Sequence, residues 1–183
     1  MEHKHPPDTV INGRRVTLNA EDLGWATDVG RMRNLEAILS GRTPKFDEAR
    51  AGELWGNHIE SACAELAVAR LGKQKWMGHI NRFRGLPDIE DTNWEVRWSA
   101  IQKWKVNASD DTGKVVVCVD LKCPTYEVVG WVIPELVRRV PEFERTGKNR
   151  NGQEHKYWLV PKDRITRLGV PPVAVLTGEH WKP

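Results

Sequence analysis

Two acids and one cation carry the chemistry this chain could perform. Asp88 follows Pro87 in "GLPDIEDTNWEVRWS", and Glu95 and Arg97 follow in its alternating end. Along a strand, Trp94, Val96 and Trp98 share one face, and Glu95, Arg97 and Ser99 share the other. The tryptophan face is the core side. The acid and the cation then stand together opposite it, with about 7 Å between their Cα atoms. If the "LPDI" segment pairs alongside, Asp88 approaches Glu95. Two carboxylates from neighbouring segments make a hard, oxygen-rich site. That suits Mg2+ or Mn2+, which bind through one or two carboxylates plus water and substrate phosphate. Such an ion polarises a phosphate oxygen, and a nearby cation neutralises charge developing on the phosphorane. The plain alternative is a Pro-Asp turn followed by a half-solvated strand with an ion pair on its outer face.

The elements around this stretch decide whether its charges converge. "ELWGNHIESACAELAVARLG" predicts a helix with an apolar stripe of Trp55, Ile59, Ala62, Leu66 and Ala69, and Gly72 as its stop. At ~100° per residue, Glu65 falls roughly 90° from the centre of that stripe, at its edge. Glu60 falls about 130° away, on the solvent side. Glu65 is therefore the helix acid that can look into a groove. Upstream, residues 1 to about 10 read as a loose tail, and Asn12-Gly13 as the turn of a short hairpin. A helix follows, capped by Asn19, with Leu23, Ala26, Val29, Met32, Leu35 and Leu39 at helical spacing.

Downstream the period changes to two. "QKWMGHINRF" reads as a strand, "GLPDIE" as a turn into a second, and "NWEVRWS" as a third. "KWKVN", "KVVVCVDLK" and "YEVVGWVI" follow, the second apolar enough to be buried on both faces. "PELVRRVPEF" opens with proline at a first helical position. "RTGKNRNGQEH" reads as a basic loop, "KYWLVP" as an edge strand, and the proline-rich tail from Gly169 as a surface wrap. Helices first, then strands with a late helix, predict a mixed α/β fold around one sheet. Residues 1–50 form an N-terminal arm and helix on a core of 51–183.

The totals bound the function class. With 183 residues the chain suits one domain. A net charge of +3 permits a nucleic-acid partner without demanding one. Three cysteines without regular spacing argue against a disulfide framework or a zinc site and suit a reducing cytoplasm. No apolar run approaches the ~18 residues of a membrane helix, which predicts no membrane partner. The nine tryptophans read mostly as core or groove residues.

In order and context these motifs resemble the PD-(D/E)XK nuclease superfamily, which has the restriction-endonuclease-like core. "ACAELAVARLG" is similar to its first-helix motif, "LPDIE" to its Pro-Asp element and "WEVRW" to its Glu-x-Lys strand. The chain also resembles small phage-encoded proteins that share "HIE…E.AVA", "PD", "EVR", "VVGW" and "VP" in this order. The resemblance spans about Trp55 to Pro161 and leaves the N-terminal helix outside the superfamily core. It implies a central mixed sheet flanked by helices and Mg2+-dependent cleavage of DNA. It also implies that Glu65 is the helix acid, Asp88 and Glu95 are metal ligands, and the Val96 carbonyl is a further ligand. Many such folds work as homodimers.

The departure is Arg97, which stands where the superfamily usually has lysine. Arginine stays protonated and cannot act as a general base, although it binds phosphate through a bidentate fork. Either Arg97 serves electrostatically, or the site has decayed and only binding of DNA or a protein partner remains. Lys103 and Lys105 stand close enough in sequence to replace the missing lysine, and Gln102 to position water. Lys148, Arg150 and Lys156 suggest a phosphate-binding loop, and Arg14, Arg15, Arg31 and Arg33 a basic surface. His58, His79 and His155 read as packed, loop or edge residues. A third reading is an unrelated α+β interaction module whose acids never converge.

Overall fold

The computed structural model describes residues 8–41, 51–80, 86–110, 115–148 and 152–168, the side chains of 51–54 and 166–168 apart. It is a mixed α+β fold. A five-stranded sheet has the order β1 (Val10–Asn12), β2 (Arg15–Thr17), β6 (Thr125–Val132), β5 (Val115–Lys122), β3 (Trp94–Trp98). A three-stranded sheet has the order β4 (Lys103–Asn107), β8 (Glu154–Pro161), β7 (Glu144–Lys148). All neighbours are antiparallel except β3 and β5, which run parallel. The one predicted sheet is thus two. "KYWLVP" is the middle strand of the second sheet rather than an edge, and "RTGK" is a strand rather than a loop.

Three layers result. Helices α1 (Ala20–Leu39) and α2 (Ala51–Gly72) cover one face of the five-stranded sheet. The three-stranded sheet, α3 (Pro134–Arg138) and α4 (Lys162–Leu168) cover the other. Strand β5, buried over most of its length, lies between β6 and β3 and alternates between the two cores. Val117 and Val119 face the helices, and Val116 and Cys118 face the second sheet. A bulge between Cys118 and Val119 shifts the register with β6. Gly130 of β6 lets α4 come close, since a Cβ there would lie 2.7 Å from Ile165. Pro134 does occupy the first turn of α3.

Helix α1 begins as its sequence dictates: the Asn19 side chain accepts from the Asp22 amide at 2.8 Å. Its buried face differs from the apolar stripe expected. Asp22, Ala26, Val29, Gly30, Arg33 and Asn34 are buried, whereas Met32 is 41% and Leu39 88% exposed. The reason is what α1 packs against. A Cβ at Gly30 would stand 2.6 Å from the Ile59 Cα, so the two helices touch backbone to backbone. Charges on α1 then pair across that contact: Asp22 accepts from Arg70, and Arg33 donates to Glu65. Helix α2 is buried on every side from Ala62 to Ala69, because it lies between α1 and the sheet. It ends at Gly72, the expected stop, although the left-handed φ of 52° falls on the next residue, Lys73.

The stretch after α2 is not a strand in its described part, residues 74–80. It carries the buried Trp76 inward, and Gly78, at φ 58°, turns under Val29. Residues 81–83, Arg150 and the tail from Gly169 lie outside the described residues.

Candidate active site

Strand β3 keeps the alternation its sequence sets. Trp94, Val96 and Trp98 pack into the core beneath the helices. Glu95 and Arg97 turn to the other face, where the guanidinium lies 3.9 Å from Glu95. Arg97 is well held there. It donates to Asp110 at 2.9 Å and to the carbonyl of Lys105. Burial alone would raise the Asp110 carboxyl, but the bonds from Arg97 and from the Asn107 amide outweigh it and hold it below its ordinary value.

Asp88 lies at the free edge of β3, between the two faces. "LPDI" forms a bend there instead of a strand. The Asp88 amide donates to the Trp94 carbonyl at 2.9 Å, and the Val96 amide donates to the Asp88 carboxylate at 2.7 Å. A side chain thus completes the pairing that a strand would make. Amide and carbonyl of one strand residue point to the same side, so the Val96 carbonyl shares this edge with the Asp88 carboxylate. Burial is the first cause that pushes the Asp88 carboxyl well above the usual carboxylate range. The negative charges of Glu65 and Glu95 add to it, against the pull of the Val96 amide and of Arg33. Asp88 therefore feels both other acids.

Glu65 reaches the edge from the helix side and is fully engaged. Arg33 clamps it with two bonds of 2.5 and 2.7 Å, and the Trp76 indole donates to it at 3.0 Å. Arg33 is oriented in turn by the His79 carbonyl at 2.7 Å. The predicted basic surface thus loses Arg33, which is buried. Its functional placement was missed because periodicity scores an arginine as solvent-facing. The signal was its position four residues after Val29 and eleven after Asp22, on the same helix face as the small residues Ala26 and Gly30. Glu60 is also more than a surface charge. It accepts from the Tyr126 hydroxyl at 2.7 Å and the Cys123 amide at 3.3 Å, and so ties α2 to the turn between β5 and β6.

The remaining candidates lie elsewhere. Lys103 and Lys105 are exposed on the outer face of β4, while Trp104 between them is buried. Lys148 stands across from Glu154 on the opposite face of the second sheet, and Lys156 pairs with Glu144 at 2.7 Å. Gln102 donates to Asp120 at 2.8 Å, in a group completed by Lys162, apart from the edge of β3.

The three acids occupy two faces and an edge. Among the described residues no group of three or more His, Cys, Asp or Glu side chains is arranged to hold a metal. The edge itself offers Asp88 and a backbone carbonyl, and Glu95 stands on the adjoining face of the same strand; all are hard oxygens. That fits the sparse mode of Mg2+, with one or two carboxylates and the remaining positions left to water and phosphate, and not a protein cage. No helix among the described residues is long and apolar enough to cross a membrane. No protein-family model, curated protein or solved structure matches the chain.

Proposed function

We propose that the chain is a Mg2+- or Mn2+-dependent nuclease that hydrolyses DNA phosphodiester bonds, on the plan of the PD-(D/E)XK superfamily. One observation carries the reading: Asp88 is fixed to the Val96 backbone on the outer side of β3, the strand that carries Glu95 and Arg97. Of the two arginines beside these acids, Arg33 is clamped on Glu65 and Arg97 stands near Glu95 and is held by Asp110. Asp88, Glu95 and the Val96 carbonyl would hold the ion, which lends Lewis acidity to a phosphate oxygen and to water. Glu65, saturated by Arg33 and Trp76, sets the charge and position of the edge. Arg97, fixed by Asp110, offers a permanent positive charge to the phosphate. Three unpaired cysteines suit the reducing cytoplasm of a phage-infected host. A homodimer as the working form belongs to the same proposal.

The test is cleavage of plasmid and linear DNA with Mg2+ or Mn2+ by wild type, Asp88→Asn and Glu95→Gln. Both isosteric variants are expected to lose cleavage. Activity that persists in both refutes the assignment. A second reading is a nuclease-fold protein that binds without cutting. The observation that favours it is the commitment of Arg97 to Asp110 and the Lys105 carbonyl, which makes it a structural brace. Wild type that binds DNA without metal-dependent cleavage would establish that reading.

A further inference from the structure

The outer face of the three-stranded sheet carries cations and rings. Its strand registers place Lys105 opposite Leu159, Asn107 opposite Tyr157, Tyr157 opposite Arg145, and His155 opposite Gly147. Cross-strand partners share a face, so all of these stand together, with Lys103 one step further along. The inner face is Trp104, Val106, Trp158 and Val160, buried against the first sheet. Among the described residues of the three strands, no carboxylate stands on the outer face. Glu144 and Glu154 belong to the other side.

The rings on this face are arranged in a row. The Lys105 ammonium lies 4.5 Å from the Tyr157 ring centre, and the Tyr157 and His155 rings follow at 5.6 Å and 31°. Gly147 makes room for them. A Cβ there would come within 3.0 Å of Tyr157 and 3.4 Å of His155. Arg145 is exposed, and the backbone carbonyls of Glu142 and Glu144 orient its guanidinium without neutralising it. The platform is also joined to the acids, because Arg97 donates to the carbonyl of Lys105.

We propose that this face binds single-stranded nucleic acid. Phosphates meet Lys103, Lys105 and Arg145, and bases stack on Tyr157 and His155 once the Lys105 ammonium swings from the Tyr157 ring to a phosphate. Every base has a flat face, so such a surface binds without reading sequence. A duplex hides its bases in the stack and presents phosphates alone, which leaves the rings unused. The inference takes nucleic acid from the proposed function and names its form.

The test is fluorescence anisotropy in EDTA with the whole chain. The probes are a labelled oligothymidine of about 20 nucleotides, longer than one such site covers, and a duplex of equal length. The single strand is expected to bind more tightly. Lys103→Gln with Lys105→Gln should reduce the log–log salt slope by about 1.4, two contacts at ~0.7 each. Tyr157→Leu should weaken binding roughly 5- to 150-fold at unchanged Tm. Equal or tighter duplex binding overturns the inference. So does single-strand affinity that is unchanged in both variants. Cleavage of the same oligonucleotide with Mg2+ is scored separately. Binding through this face with no cleavage of this oligonucleotide or of plasmid and linear DNA sinks the nuclease reading alone, and cleavage with single-strand affinity unchanged in both variants sinks the platform alone.

Discussion

Removing Arg33 tests the arrangement around the acids most directly. Its side chain is 11% exposed and that of its partner Glu65 6% exposed, so water screens the pair little. Three of the bonds that define the site leave with the guanidinium: two to Glu65 and one to the His79 carbonyl. In Arg33→Met, Glu65 keeps the Trp76 indole and becomes a buried, poorly compensated charge. Breaking such a pair from one side costs about 3–5 kcal/mol. For a chain of this size each kcal/mol moves Tm by roughly 2–4 °C, so the expected loss is roughly 6–20 °C. Arg33→Met with Glu65→Leu removes both charges. The neutral Trp76 indole and His79 carbonyl each lose one hydrogen bond and no buried charge is left over, so the double variant should recover most of the loss. Urea denaturation of the four members of the cycle supplies the free energies. A single-variant cost under about 1 kcal/mol, the level of an exposed pair, refutes the buried clamp. So would a double variant no more stable than Arg33→Met.

Three further outcomes follow from the geometry. Asp88→Asn keeps an acceptor for the Val96 amide but removes a carboxylate whose folded pKa is raised above the unfolded 3.8. A raised carboxyl contributes its stability at low pH and loses it as pH rises from the unfolded value through the folded one. The Tm of the variant should therefore gain on wild type from about pH 4 upward and then level off; a difference that shrinks with pH contradicts this. Gly30→Ala should destabilise by about 1–3 kcal/mol through contact with Ile59, while Gly24→Ala in the same helix, with nothing within 4 Å, should stabilise by about 0.5–1 kcal/mol. Matching urea midpoints would disprove the close helix crossing. Arg97→Gln should lower cleavage about 100- to 1000-fold and Arg97→Lys far less. Equal rates in all three proteins make Arg97 purely structural.

Where a pattern depends on local alternation or a single apolar stripe, the residues announce the structure. The tryptophan face of β3, the buried β5, the Asn19 cap and the stripe of α2 are of this kind. Helix α1 hid its buried face because that face is built from ion pairs, and each partner lies 32 to 48 residues away. The second sheet was obscured for a similar reason. β8 looks like an edge strand until β4, some fifty residues earlier, pairs with it, and β7 contains the Thr-Gly-Lys of an apparent loop. That the Pro-Asp segment lies alongside β3 was legible. Its manner of joining β3, by carboxylate in place of backbone, was not.

That manner of joining has a consequence for the sheet as a whole. Among the described strands β3 is the outermost, and the amides and carbonyls of an outer strand are a template on which another chain can add a strand. Asp88 occupies two of those groups, the Trp94 carbonyl and the Val96 amide. The acid assigned to the reaction is therefore also the guard against intermolecular β-pairing. Asparagine can keep the guard while giving up the charge, whereas alanine opens the Val96 amide to a neighbouring molecule. The proposed catalysis and protection of the strand edge thus fall to one side chain, and a chain without the chemistry would still have reason to keep a polar acceptor at this position.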